Sequence, residues 1–244
     1  VKEFTELQGV VGGLYARAQG EPEAVWKAIY DHYKPESMED TIPRQQAGRL
    51  VSLADKLDTL VGCFRVGLLP TGSRDPFALR RAAQGVVKIL VEGGIRAPIR
   101  KLLGGDAKLE EFFLDRLRYY FKDIRGYRYD EVNAVLASGW DDLVDVAERL
   151  AAIQSVRPTE NFEPLAASFK RIQNILRQAR FDEAGAIDTN LLEPGAEQEL
   201  HREFLRVRET AAGQAYAPAL AAIASIRPAV DQFFDKVLVN APDE

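Results

Sequence analysis

The apolar residues of this chain recur at helical spacing along almost its whole length, and this periodicity limits the possible folds more than any other feature. In the segment LADKLDTLVGCF, Leu53, Leu57 and Leu60 share one side of a helical cylinder, whereas the charged residues lie elsewhere on it. No segment alternates apolar and polar residues for long enough to indicate a strand. The sequence therefore predicts an all-α fold.

A polar loop interrupts the helical pattern directly after this segment. Residues 70–73, PTGS, are turn residues and end the first helix. Asp75 offers a side-chain acceptor that caps the next helix, and Pro76 suits the first helical position because no N–H partner is needed there. The second helix then carries Arg80 and Arg81. We expect this loop to form a surface and not part of the core.

Glycines are concentrated in the first predicted helix, Phe4 to Ala18. Gly9, Gly12 and Gly13 lower its intrinsic helical propensity. Residues without a bulky side chain also allow another helix to approach closely, so we expect a tight helix contact there. Two later segments, IQSVRP ending at Pro158 and IASIRP ending at Pro228, predict helix ends with a cation in the last turn.

A second group of helix-breaking residues indicates where the chain divides. Gly93-Gly94 ends the helix that follows the polar loop, and Pro98 and Gly104-Gly105 follow within a short basic segment. We place the domain boundary here, so the sequence predicts a first domain over residues 1–105 and a second over residues 106–244.

Composition sets further bounds on the class of protein. The net charge is −5, from 32 basic and 37 acidic side chains, which argues mildly against RNA contact unless the basic groups cluster. Cys63 is the only cysteine, which fits a reducing cytoplasm and a thiol packed in a core. Neither a signal peptide nor a bilayer-spanning segment is evident. Because the chain starts at Val1 without a methionine, we expect an excised fragment.

One candidate binding surface lies in the segment from Asn161 to Arg180. Lys170, Asn174 and Arg177 occur at i, i+4 and i+7, close to the face opposite an apolar stripe. The stripe consists of Phe162, Leu165, Phe169, Ile172, Leu176 and Ala179.

A second basic row lies in the aromatic helix that runs from Leu109 to Lys122. Arg118, Lys122 and Arg125 form this row, and the turn Tyr127-Arg128-Tyr129 follows it. Arginine and tyrosine side chains stack on unpaired bases, and lysine and arginine neutralise phosphates, so both rows suit single-stranded loops of RNA. The alternative is that each row is an ordinary solvated helix face.

Residue patterns typical of catalysis are scarce. The sequence contains no phosphate-binding glycine loop of either common spacing, no zinc-type set of cysteine and histidine, and no nucleophile elbow. Of the two histidines, His201 lies among charged residues and is interpreted as a solvated helix residue. His32 follows Asp31 upstream of Asp55. No catalytic residue and no metal ligand is therefore predicted.

The runs ADKLDTLVG and PTGSRDPFALRRAAQGV resemble the β subunit of bacterial heterotetrameric glycyl-tRNA synthetase. Weaker similarity to the same family occurs in EFTELQGVVGGLYA, FFLDRLRYYF, FKRIQNIL and VDQFFDKVLVN, so the resemblance covers nearly the whole chain. It implies the C-terminal part of that subunit. The implied architecture is a helical HD-like domain over 1–105, truncated at its N-terminus, followed by a helical-bundle anticodon-binding domain of the arginyl-tRNA synthetase type over 106–244.

The resemblance also implies a function and partners. The second domain would bind the anticodon stem-loop of tRNA-Gly, and the chain would contribute to aminoacylation by a cytoplasmic α2β2 enzyme. The adenylate-forming site, which uses ATP and Mg²⁺, belongs to the α subunit in this family, so this chain would carry no cofactor. FFLDRLRYYF and FKRIQNIL match the family best. With the two rows above, they give the expected RNA-binding residues Arg116, Arg118, Lys122, Arg128, Lys170, Arg171, Asn174 and Arg177.

Two other functions remain open from the sequence. HD phosphohydrolases hold a metal through a histidine, a His-Asp pair and a later Asp in a helix that reads like LADKL, and Asp55 matches the last of these. The chain contains no His-Asp dipeptide, and Asp31-His32 has the reverse order, so this fragment lacks the full ligand set that activates a water. The other possibility is a structural helical module that docks the α subunit.

Overall fold

The structure of the protein, a computed structural model, describes residues 3–160, 162–180 and 187–239, except for the side chain of Glu6. Within these ranges the regular structure is helical, and an isolated bridge between Thr71 and Arg74 is the only β-type pairing. The all-α prediction is confirmed. The α-helices are α1 (Val10–Ala18), α2 (Glu23–Asp31), α3 (Gln46–Arg65), α4 (Leu79–Gly93), α5 (Ile99–Leu102), α6 (Ala107–Tyr119), α7 (Tyr129–Ala137), α8 (Leu143–Val156), α9 (Phe162–Gln178), α10 (Ala196–Ala211), α11 (Tyr216–Ala224) and α12 (Arg227–Lys236).

The chain forms two compact units, Val1–Leu150 and Ala151–Glu244. This division falls within α8, and the domain boundary at residue 105 stays a prediction. In the first unit, α6 packs against α3 and α4. Leu109, Phe113 and Leu117 of α6 are fully buried in this packing. The domain types assigned to residues 1–105 and 106–244 stay predictions.

Ion pairs and a backbone hydrogen bond hold the segment between α4 and α6 against the start of α8. Arg96 pairs with Asp142 at 2.9 Å and with Glu148 at 2.5 Å. The Arg100 backbone N–H donates to the Asp141 carboxylate at 2.9 Å. The glycines and proline of this segment therefore form turns within the first unit and do not form a linker between units.

The close helix contact expected from the early glycines is present. Helix α1 packs against α2. A Cβ atom built on Gly13 would lie 2.6 Å from Tyr30 Cβ and 3.0 Å from the Trp26 carbonyl oxygen. Gly9 has a φ of +80° and lies against the Tyr33 ring. Only glycine allows the two backbones to come this close.

The polar loop between α3 and α4 is ordered by its own hydrogen bonds. Thr71 and Arg74 exchange backbone bonds of 3.0 and 2.8 Å. Asp75 accepts from the N–H groups of Leu79 and Arg80 at 2.8 and 2.9 Å, so its capping role is confirmed. The helix nevertheless begins at Leu79 and not at Pro76, because the intervening residues form a turn in which Ala78 has a φ of +53°.

The second unit has a smaller core, formed by α9 to α12. Its buried members are Leu165, Val207, Ala224, Ile226 and Val230. Pro228 lies at the start of α12 and not at the end of α11, since proline suits the first turn of a helix as well as the residues after one. Asn161, the expected first residue of α9, and residues 181–186 of the following loop lie outside the described residues.

Candidate nucleic-acid interface

The basic row that begins on α6 and continues into the π-helical turn Tyr120–Ile124 is largely neutralised by local carboxylates. Arg118 pairs with Asp115 at 2.8 Å and Lys122 with Asp123 at 3.3 Å. These pairs are exposed, and exposed ion pairs are worth only about 0.2–1 kcal/mol. A phosphate group can therefore replace either carboxylate as the partner at small cost.

Arg116 and Arg128 flank this row in different environments. The Arg116 guanidinium lies 5.5 Å above the Phe112 ring, and its buried Nε has no hydrogen-bond partner among the described residues. Arg128, after the row, is two-thirds exposed and lies 3.3 Å from Asp130. Tyr129, beside it, is also about two-thirds exposed. The turn thus presents one cation and one aromatic ring to solvent.

Helix α9 brings its expected residues onto one face, on which Lys170 and Arg177 are exposed and Asn174 is half-buried. Lys170 is exposed and has no ion-pair or hydrogen-bond partner in the described part of the chain. The Arg177 guanidinium donates to the Asn174 side-chain oxygen at 3.0 Å. Arg171 differs, since its guanidinium stacks 4.0 Å from the centre of the Phe234 ring on α12. Lys170 is therefore the freest cation of the row, while Arg171 also holds two helices together.

The apolar stripe of α9 is only partly covered. Leu165 is buried, whereas Phe169 and Leu176 are 48% and 42% exposed. Phe169 lines an apolar groove of about 980 Å³ within the second unit, together with Leu165, Ile172, Leu200, Phe204 and Val207. An open apolar groove of this size is a candidate surface for a protein partner.

The residues that resemble HD ligands do not form a metal site. Asp31 is buried and receives hydrogen bonds from Arg44 Nε and Nη2 at 2.8 and 3.0 Å. His32 Nδ1 lies 2.6 Å from the Ile29 carbonyl oxygen. Asp55 is exposed on α3. Across the described residues, no three of the side chains that bind metals lie close enough together to hold an ion.

Asp55 instead lines a mixed polar and apolar pocket of about 470 Å³ at the junction of α3 and α4. Lys56, Tyr33, Phe77 and Arg81 also line it. Burial lowers the pKa of Lys56 below its usual value, and its ammonium group donates to Ser52 Oγ at 2.8 Å and to two backbone carbonyls at 3.2 Å. Lys56 is therefore occupied with holding the chain together.

A third group of cations is not among the RNA-binding residues expected from the sequence. Arg65, Arg74 and Arg81 are exposed around the loop between α3 and α4, and none has an ion-pair partner in the part of the chain that the structure describes. The available signal was the local charge, because residues 65–81 contain four arginines and a single acid, Asp75. Helical periodicity, which identified the other two rows, works within one helix, whereas these three arginines are spread over the end of α3, the loop and the start of α4.

None of the helices within the described residues is both long enough and apolar enough to cross a membrane.

Comparison with known proteins gives concordant results. A family profile described as "Glycyl-tRNA synthetase beta subunit" matches residues 1–137. The chain is 49% identical to the glycine–tRNA ligase beta subunit of Acidobacterium capsulatum, 45% identical to that of Leptothrix cholodnii and 40% identical to that of Myxococcus xanthus. Each match covers 100% of this chain but only 36–38% of the relative. The chain therefore spans less than two fifths of the length of these relatives.

Proposed function

Because the chain belongs to the glycyl-tRNA synthetase β subunit family, we propose that it is a tRNA-binding part of glycine–tRNA ligase. The observation that carries this proposal is the 49% identity over the whole chain. The proposed ligand is the anticodon stem-loop of tRNA-Gly, bound by the helical region 106–244. Residues 1–105 would be the HD-like domain of the same subunit.

The chemistry of aminoacylation is assigned to the partner subunit. In this proposal ATP and Mg²⁺ are used by the α subunit of a cytoplasmic α2β2 enzyme, and the present chain supplies binding and orientation of the RNA. The chain itself would contribute no catalytic residue and bind no cofactor.

The exposed face of α9 supports a division of roles. Lys170 and Arg177 present positive charge without a carboxylate partner among the described residues, which suits phosphate groups. Asn174 carries an amide that donates and accepts hydrogen bonds, which suits a base edge. In the first unit, α6 and the turn after it would supply further contacts of their own through Arg116, Arg118, Lys122 and Arg128. Arg171 would stabilise the pairing of α9 with α12.

The test is filter binding of labelled tRNA-Gly as a function of salt. The double variant Lys170→Glu, Arg177→Glu should bind more weakly, and the slope of log affinity against log salt should fall by roughly 1.4–1.8 for two lost phosphate contacts. A matched control, Arg202→Glu with Lys236→Glu, makes the same change in charge on exposed positions of α10 and α12 and should keep the wild-type slope.

Unchanged affinity and salt slope in the α9 double variant would show that this face is ordinary solvated surface and not an RNA contact. The contact would then lie on Arg116, Arg118 and the turn at residues 127–129. Asn174→Ala should behave differently from the charge reversals, because it should reduce discrimination between tRNAs more than it reduces salt-dependent affinity.

A second candidate function is docking of the α subunit, and the apolar groove of the second unit favours it. Phe169→Ser would make the groove more polar at a half-exposed position. If the groove receives the α subunit, this variant should lose co-purification with that subunit and keep its affinity for tRNA-Gly. If the variant still co-purifies with the α subunit, the groove is not the docking site for that subunit.

A further inference from the structure

The loop between α3 and α4 displays cations on an ordered frame. The frame is the pair of backbone bonds between Thr71 and Arg74, the Asp75 cap on α4, and a bond of 2.5 Å from Arg80 Nη2 to the Gly72 carbonyl oxygen. Arg80 is thus part of the frame. The remaining arginines keep their guanidinium groups in solvent.

The local charge of this loop opposes that of the chain. Residues 65–81 carry four arginines and one acid, whereas the whole chain has a net charge of −5. The acid is Asp75, and both of its carboxylate oxygens accept backbone N–H groups of α4. Arg65, Arg74 and Arg81 have no ion-pair partner within the described residues, although Asp55 and Glu36 line the same pocket as Arg81.

An aromatic ring lies beside one of these cations, Arg81. Phe77 is 49% exposed, and it lines the 470 Å³ pocket together with Arg81, Tyr33 and Asp55. An exposed ring next to arginines is a platform on which an unpaired base stacks, and carboxylates accept hydrogen bonds from amino groups of bases. A protein partner with an acidic surface would use the cations but gives no role to the pocket.

We propose that Arg65, Arg74, Phe77 and Arg81, here called the loop surface, form a second RNA-contact surface in which the arginines neutralise phosphates and Phe77 stacks an unpaired base. The inference rests on the proposed tRNA-binding function but concerns different residues. It does not depend on how the two units are arranged.

The charge part of the inference is tested with the full chain and labelled tRNA-Gly. The variant Arg74→Glu, Arg81→Glu should fold normally, because the Arg74 side chain makes no contact in the frame and a glutamate in the first turn of α4 is favourable. We expect weaker binding and a salt slope reduced by roughly 1.4–1.8. The control Lys101→Glu, Lys108→Glu changes two other exposed cations of the same unit and should keep the wild-type slope.

The stacking part has a separate readout. Phe77→Ala should weaken binding without changing the salt slope, because a ring neutralises no phosphate, and Phe77→Trp should restore affinity. Wild-type affinity in Phe77→Ala would overturn the stacking role.

The outcomes separate this inference from the proposed function. In one outcome, tRNA binding is weakened by the α9 double variant (Lys170→Glu, Arg177→Glu) but not by the loop double variant (Arg74→Glu, Arg81→Glu). The proposed function then stands, and the loop surface is overturned as an RNA contact. A protein partner would then be the better assignment for it. If the wild-type chain fails to bind tRNA at any salt concentration, both proposals fall.

Discussion

Replacing Gly13 with alanine tests the packing of α1 on α2 directly. The added Cβ would lie 2.6 Å from Tyr30 Cβ, 2.9 Å from Tyr30 Cα and 3.0 Å from the Trp26 carbonyl oxygen. Two of these atoms belong to the backbone of α2, and the third is a Cβ fixed to it. The clash is therefore relieved only if the two helices separate.

The expected loss is the difference between two opposing effects. Overpacking costs typically about 1–3 kcal/mol, and the upper end applies because no flexible side chain is available to move. Alanine in place of glycine in a helix returns about 1 kcal/mol of propensity. The net destabilisation is then about 2 kcal/mol, which corresponds to a fall of roughly 4–8 °C in melting temperature for a chain of this size.

Gly62→Ala is the matched control. Gly62 lies in α3, is exposed, and has no atom within 4 Å of its would-be Cβ. The same substitution there should stabilise by about 0.4–1 kcal/mol. Urea unfolding followed by tryptophan fluorescence measures both variants, because Trp26 and Trp140 both lie in the first unit. Equal or greater stability of Gly13→Ala relative to Gly62→Ala would refute the close helix contact.

Three further expectations follow from single residues. Burial holds the pKa of Lys56 below its usual value of about 10.4. Between the folded and unfolded pKa values the unfolded state binds more protons, so the unfolding free energy of the wild type, relative to that of Lys56→Met, should rise with pH. A fall with pH would contradict the burial of this ammonium group. Arg171→Ala removes the guanidinium stacked on Phe234 and should lower the unfolding free energy by about 0.5–2 kcal/mol. Amide hydrogen exchange in α9 and α12 should then be faster. Exchange at the wild-type rate would show that Arg171 has no structural role. The purified chain should show no manganese-dependent release of phosphate from nucleotides, and release that Asp55→Ala abolishes would make HD-type hydrolysis the primary function.

Local sequence signals predicted the elements well where one helix or one turn decides the outcome. The glycines of α1 predicted a close approach of another helix because the absence of a side chain can be read from the residue type alone. Asp75 predicted a cap because its acceptor serves N–H groups only a few residues away. The start of α4 was misplaced because proline suits the turn before a helix as well as its first position.

Long-range packing was harder to predict. The segment between α4 and α6 has the composition of a linker, yet Arg96 and Arg100 bind acids near the start of α8. Nothing in the local composition reveals partners that distant in the chain. For the same reason the periodicity of α9 identified its apolar face but not how far that face is covered, and Phe169 stays half exposed.

The expected binding residues share this limit. Helical spacing placed Lys170, Asn174 and Arg177 on one face, but it gave no information on whether a neighbouring acid neutralises each cation. Arg118 and Lys122 have such partners and Lys170 has none in the described part of the chain. Arg65, Arg74 and Arg81 were not expected as RNA contacts because they are spread over the end of α3, the loop and the start of α4 and share no single helical face.

Discrimination between tRNAs tests the central claim most directly. Labelled tRNA-Gly and an unrelated tRNA should be titrated with the full chain at one fixed salt concentration, since affinity for nucleic acid is defined only at stated ionic strength. We predict tighter binding of tRNA-Gly, by about tenfold for a base-edge contact worth about 1.4 kcal/mol. Equal affinity for the two tRNAs, or no binding of either, would contradict the account.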